Sequence, residues 1–569
     1  MDDKEKKNFK DKKFKKQRKE RKPEEKKIDK ICMNDPYWYV LHPELLKDVA
    51  SLAYPNFMGR GFPIGNIYLA NFSCPQSVVC KIPYLYMCGA ADDSSDGINL
   101  AVRNLYTYIR HANSGHTNYE SADLAMYLLG IAGVVATLAH LERIIGLAKF
   151  YQRRNALIPI TLLNALGVTN VAALQSNLAN YTYKLNVLWQ RVSSLCIPKD
   201  FKFLQRWVWM NSQVFKDHES DKAVLYVFKP VGVPKYVPFA SGSGGIIQQN
   251  NVETATPTLD DWYNDAEASL DALLIDEDMN IISGDILKAY GSENLLKFGM
   301  TPLDYIVQPV FVEEMLPQIQ HLMSAPCQIT TSGSVPDKVV TGINYKIAQA
   351  INDVTDNRYV LAQDATKFTI YQVDGEVVCS PCFTRGATSA TIDSTTKALY
   401  WTPSSTWMRN WHTGYDRILN SYKESPTPED NIIATRLMYT EFVDTSANGN
   451  GDAIYVDSCG TELVTTPVIY STTFNSATVT GMVTTLEFGT EIFVGSGASA
   501  VENLASLFSK LAQIDWHPFI YKFNSTYLKY TGFYGEPDNF TSISPNLLQS
   551  MNDAAVLAEF NVSQLNFIK

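Results

Sequence analysis

"LAMYLLGIAGVVATLA", residues 124–139, runs sixteen residues without a charge between Asp123 and His140. It is shorter than the ~20 apolar residues that usually cross a bilayer. A helix apolar on every side is also what the centre of a large soluble core demands. In a chain of 569 residues, long enough to enclose a sizeable core, this stretch reads as a buried helix and the chain as a helical body built around it.

Immediately upstream, "YIRHANSGHTNYESAD" (108–123) gathers His111, His116, Glu120 and Asp123, residue types suited to a metal site or an acid/base pair. On one continuous helix the two histidines would lie about 140° apart. The helix is expected to stop instead, because Asn113-Ser114-Gly115 is a turn signature. A new helix is expected near Ser121, with Asp123 in its first turn favoured by the helix dipole. The residues then form a structural corner of His111, Asn113, Gly115, His116 and Asp123, with no metal expected.

Further out, Ile98, Ala101, Val102, Leu105 and Ile109 make one helical stripe that Asp96 can cap. More helices are expected around 121–151, 160–166, 171–195, 262–276, 284–299 and 309–323. Residues 31–90 read as an irregular segment tied down by aromatic anchors. From about 327, Thr, Ser and Val dominate and turn dipeptides appear: Asp374-Gly375 in "KFTIYQVDGEVVCS", and Asn448-Gly449 with Asn450-Gly451 in "EFVDTSANGNGDAIYV". These predict hairpins, and "STTFNSATVTGMVTTLEF" is β-branched throughout. One helix interrupts, with Thr427 as N-cap and Pro428 at N1. From about 500 the chain turns helical again, in "ENLASLFSKLAQI" and "SPNLLQSMNDAAVLAEF". The fold class expected is α+β: a mainly helical domain, a β-rich projection and a basic arm.

The arm carries most of the charge asymmetry. Residues 1–30 hold 15 basic against 8 acidic residues, +7, and leave the remainder at −17. With so few apolar residues this stretch is expected to be disordered alone. Its Lys6, Lys7, Lys10, Lys12, Lys13, Lys15, Lys16, Arg18, Lys19, Arg21, Lys22, Lys26 and Lys27 point to a polyanion partner. The first residues lack an apolar stretch behind their charges, so no secretory signal is expected. Nine cysteines at irregular spacings argue against a disulfide framework. Cys379-Ser-Pro-Cys382 follows a hairpin strand rather than opening a helix, which suits structural thiols better than a redox pair.

Other motifs fail where they matter. "DEDMNIISGDIL" (276–287) resembles a calcium loop, but Ile281 stands where the loop needs Gly and Leu287 where it needs Glu. "SGSGG" (241–245) lacks the Lys-Ser/Thr of a phosphate loop, and neither GxSxG nor HExxH occurs. No catalytic residues and no cofactor are expected.

"INLAVRNLYTYIRHANSGHTNYESADLAMYLLG" (98–130) resembles the signature segment of picobirnavirus capsid proteins. Arg110, His111, Asn113, Ser114, Gly115, His116, Asn118, Tyr119, Asp123 and Leu124 carry the match. "LLNALGV" (162–168), "DEDMNIISGDILKAYG" (276–291), "FGTEI" (488–492) and "IDWHPFIY" (514–521) follow in order. The resemblance implies a viral coat protein without enzymatic activity that dimerises and builds a small icosahedral shell around double-stranded RNA. It implies assembly in the host cytoplasm, localisation in the virion, and the viral RNA polymerase as a further candidate partner. Membrane contact during entry is left open. The implied division is an arm over 1–45, a helical shell domain over 46–326, a projecting domain over 327–485 and a return to the shell over 486–569. The alternative is a non-viral RNA-binding or scaffolding protein with a basic tail; a hydrolase using His111 and His116 ranks third.

Overall fold

The computed structural model describes residues 75–91, 94–113, 115, 119–150, 158–219, 223–238, 245–251, 258–323, 417–444, 453–464, 467–475, 478–485, 491–494, 529–534 and 538–561. It also describes 367–373, 376–378, 382–384 and parts of 514–524. The arm, His116, Cys379 of the CxxC motif and the helix expected in "ENLASLFSKLAQI" lie outside the described residues.

The helices, in chain order, are α1 (Gly97–Ala112), α2 (Ser121–Ala148), α3 (Ile158–Ala165), α4 (Val171–Ser176), α5 (Leu178–Val192), α6 (Lys202–Ser212), α7 (Leu259–Ile275), α8 (Glu277–Tyr290), α9 (Leu316–Gln320), α10 (Pro428–Ala434) and α11 (Pro545–Phe560). On α2 every residue but Ser121 and Glu142 is buried. Its length and composition alone would let it cross a membrane, yet the whole apolar window lies inside the protein. The helices α1, α5, α6, α7 and α8 pack around it. The expected stripe on α1 is buried as read, and Asp96 takes its N-cap position. Thr427 caps α10 ahead of Pro428, and its hydroxyl accepts from the Asp430 amide.

Three expected helices are corrected. The one read over 284–299 is α8, which begins at Glu277 and stops at Gly291, where φ is +72° and a side chain would be strained. The one read over 309–323 shrinks to the five-residue α9, since Pro309 and Pro317 leave no room for a longer run. The helix read over 171–195 is two, divided at Asn177.

The strands are β1 (Pro75–Tyr86), β2 (Phe215–Lys216), β3 (Leu225–Pro230), β4 (Gly232–Pro238), β5 (Gly245–Asn251), β6 (Val310–Phe311), β7 (Lys367–Val373), β8 (Glu376–Val378), β9 (Cys382–Thr384), β10 (Arg417–Asn420), β11 (Tyr439–Asp444), β12 (Ala453–Cys459), β13 (Glu462–Val464), β14 (Val468–Asn475), β15 (Thr478–Thr485), β16 (Glu491–Val494), β17 (Ile520–Asn524), β18 (Lys529–Tyr534) and β19 (Phe540–Ile543). The main sheet runs β15-β14-β1-β3-β2-β6, with β13 also on β1. Its central strand, β1, lies in the segment read as irregular. It is parallel to β3 and antiparallel to β14, and Val79–Tyr86 is buried throughout. A strand buried on both faces shows no alternation to read.

Both expected hairpins form: Val373 faces Glu376 across β7 and β8, and Asp444 faces Ala453 across β11 and β12. The β-branched stretch makes a further one, with Asn475 facing Thr478 across β14 and β15. Some described strands of the block expected to project are shared with the helical body, β7 pairing β5 while β13 and β14 pair β1; β11, β12 and β9 form a sheet of their own.

Candidate functional site

The corner between α1 and α2 is the first candidate. Asn113 ends α1: its backbone N–H donates to the Ile109 and Arg110 carbonyls (both 3.1 Å). Its buried Nδ2 donates to the Ile109 carbonyl (2.9 Å) and to that of Asp285 on α8 (3.1 Å). Gly115 is exposed, and its carbonyl accepts from Arg110 Nη1 at 3.4 Å. Asp123 Oδ2 accepts from the Glu120 amide at 2.6 Å, and the Glu120 side chain accepts from the Asp123 amide, a reciprocal cap.

Tyr119 also fastens the corner. Its hydroxyl donates to Asp285 Oδ2 (3.0 Å), and its carbonyl accepts from Tyr106 (2.9 Å). Burial and the neighbouring Asp285 carboxylate push its phenol up, so it stays a donor. His111 is exposed on α1. The corner is fastened to α8 through Asn113 and Tyr119. The partner Asp285 is far away in sequence, which no local pattern announces.

Inside the body, Arg143 of α2 is fully buried. It donates to the carbonyls of Met210 (3.3 Å), Gln213 (3.0 Å) and Phe228 (2.6 Å), and its Nη2 lies 2.8 Å from His140 Nδ1. Met210 and Gln213 end α6, so the guanidinium satisfies the orphan carbonyls of that helix and faces the negative end of its dipole. Burial lowers the Arg143 pKa to about 10. Burial, with Arg143 and Lys229 nearby, holds His140 well below the ordinary histidine range.

A second buried cluster joins four distant segments. Arg206 of α6 grips Glu462 of β13 through Nη2–Oε2 (2.8 Å) and Nε–Oε1 (3.0 Å). Arg436 Nη2 reaches Glu559 of α11 (2.7 Å) and Thr461 Oγ1 (3.0 Å), and Thr461 donates to Glu462 (2.6 Å). Burial works to raise the Glu462 pKa, but Arg206 and Arg436 outweigh it and the carboxyl is held low. Glu559 goes the other way, raised by burial. Sequence reading missed both clusters, since each arginine finds its partners through the fold.

These polar groups are enclosed and bind one another or backbone, which makes them fasteners. Among the described residues, no three His, Cys, Asp or Glu side chains gather as a metal site would need. The thirteen basic arm residues, Lys6 to Lys27, lie outside the described residues.

A family model described as the picobirnavirus capsid protein matches residues 38–536. The chain belongs to the picobirnavirus capsid protein family. This viral capsid protein, a structural protein of the virion, is similar to a capsid protein precursor of human picobirnavirus (strain Human/Thailand/Hy005102/-). The two are 24% identical over 555 residues, covering 94% of this chain and 92% of the relative. Its fold is similar to the X-ray crystallographic structure of the picobirnavirus capsid, with a TM-score of 0.73 and 22% identity, over 94% of this chain and 100% of the other. The mixed helix-and-strand architecture is thus that of a picobirnavirus capsid.

Proposed function

We propose that this capsid protein associates as dimers and builds an icosahedral shell around double-stranded RNA, assembling in the host cytoplasm, with no catalytic role. The basic arm contacts the RNA. The observation that carries this is the charge split: a +7 stretch precedes a −17 remainder that would repel packaged RNA at close range. Arm lysines and arginines neutralise phosphates without reading sequence. Residues 1–45 are proposed as the arm, 46–326 with 486–569 as the shell, and the projection is drawn from within 327–485.

Deleting residues 1–30 should leave particles visible by negative-stain microscopy but cut the RNA recovered from them. If about five phosphates are neutralised, log K for the isolated arm falls with log salt at a slope of roughly −4. Replacing Lys12, Lys13, Lys15, Lys16, Arg18 and Lys19 with neutral residues should flatten that slope. Arm-deleted particles with wild-type RNA content would assign recruitment to the body or to the viral polymerase. Absence of closed particles from the full chain would favour a scaffolding protein. Insertions between Asn448 and Gly451, in the connection between β11 and β12, should be tolerated if that tip projects. Insertions in 124–139 should not.

A further inference from the structure

The outer face of α8 carries a feature that its own chain does not use. Glu277, Ile281, Gly284 and Lys288 follow one another at spacings of four, three and four, which places them on one stripe. All four are exposed, Ile281 by 39%, and Leu287 beside them by 43%. The opposite face, Met279, Ile282, Ser283, Ile286 and Tyr290, is buried in the body. A Cβ added at Gly284 would meet no atom within 4 Å. Glycine in the middle of a helix is disfavoured against alanine, so this one costs stability without relieving crowding in its own chain.

The stripe is complementary to itself. Take a second α8 running antiparallel, with a two-fold axis passing between Ile282 and Ser283. Ile281 then meets Gly284 of the second copy, and Glu277 meets its Lys288; each contact occurs twice, as an isologous contact requires. The isoleucine fills the room over the glycine, with Leu287 flanking it. Within one chain Glu277 and Lys288 are about 16 Å apart along the helix. That is beyond the ~8 Å Debye length at physiological salt, so their attraction is realised only across the pair. One helix face is smaller than the roughly 800 Å² a stable dimer buries per subunit, so the helix pair is the centre of a wider contact.

We propose that the outer face of α8 is a subunit interface on which α8 of a second copy packs antiparallel, Ile281 over Gly284 and Glu277 against Lys288. The inference rests on the self-association proposed above. It is tested on the full chain by sedimentation velocity across a concentration series. Glu277→Lys alone and Lys288→Glu alone should each weaken association at least tenfold, because each homodimer then carries two like-charge contacts. Mixing the two variants should restore it, since every pair across a mixed dimer is again opposite in charge. A fault within one chain is not repaired by mixing. Gly284→Leu should abolish the contact and, in the Glu277→Lys background where subunits stay apart, should not lower the melting temperature, because the side chain has open space in the single subunit. Variants that associate like wild type, or a mixture no better than its components, would overturn the α8 contact while leaving shell-building intact. A wild-type chain that stays monomeric at every concentration would overturn both.

Discussion

Helices α2 and α8 both carry glycines in mid-helix, and they use them in opposite ways. In α2, Gly130 faces Leu273, Gly133 lies against the ring of Pro234, and Gly146 against Val307 and Tyr305; an added Cβ would come within 2.6 Å of Pro234 or Val307. Those glycines let neighbouring elements approach the central helix closely. In α8, Gly284 faces open space. A gap filled from within the chain explains itself by packing, whereas a gap left open points to something outside the chain. The polar groups divide the same way: Arg143 of α2 is buried and donates to three backbone carbonyls, while Glu277 and Lys288 of α8 face solvent.

The hardest break in that contrast is Arg143→Met. The thioether keeps much of the volume but strands the Met210, Gln213 and Phe228 carbonyls and the His140 ring nitrogen. At about 1–3 kcal/mol for each unsatisfied group, partly offset by relaxation, the loss should reach about 4 kcal/mol. Urea unfolding of subunits held unassembled should read it as a lower midpoint with an unchanged slope. A change below 1 kcal/mol would mean that the end of α6 does not depend on the guanidinium.

Acid should stress the enclosed side before the open one. His321 is buried with Nδ1 2.6 Å from the Pro317 carbonyl, while Nε2 accepts from the Asn420 amide at 2.8 Å. These partners require the neutral ring, because a second proton on Nε2 would face an N–H. Burial lowers its pKa to about 4, and His140 is depressed in the same direction. Both take up protons more readily when unfolded, where histidine titrates near 6.5. Their stabilisation is therefore complete above about pH 6.5 and declines as pH falls toward 4, by on the order of 3 kcal/mol for His321. Unfolding free energies between pH 7 and 4.5 should show the decline, and His321→Gln should flatten part of it. An identical pH slope in that variant would remove His321 as a source.

How much of this was legible in the sequence follows from how local each cause is. The central helix was readable because sixteen uncharged residues admit few environments. The hairpins and the α10 cap were readable from turn and capping residues lying next to the elements they shape. The corner was half readable: Asn113 and Asp123 act on adjacent backbone, but the tie through Tyr119 needs Asp285, brought there by packing. Strand β1 was missed because burial on both faces, with Lys81 in its middle, erases alternation. The stretch from 276 to 287, tested as a calcium loop, failed at Ile281 and Leu287. Both belong to the exposed apolar surface of α8 around Gly284.

The two smallest effects carry the contrast most directly, since one substitution, glycine to alanine, should have opposite signs in the two helices. At Gly133 the new methyl would sit 2.6 Å from Pro234 Cγ, on a ring fixed in β4. Overpacking there should cost about 1–3 kcal/mol despite alanine's better helix propensity. At Gly284 no neighbour opposes the methyl, so propensity alone decides and the subunit should gain up to about 1 kcal/mol. That gain has to be read in the Glu277→Lys background at low concentration, where subunits stay apart. In wild-type protein the same methyl would partly fill the space into which Ile281 of the second copy packs. Gly284→Ala should therefore raise the melting temperature of the single subunit while weakening association, a pair of signs that neither helix propensity nor a general packing defect produces alone. A lower melting temperature in the monomeric background would show that the space over Gly284 is already taken within the chain.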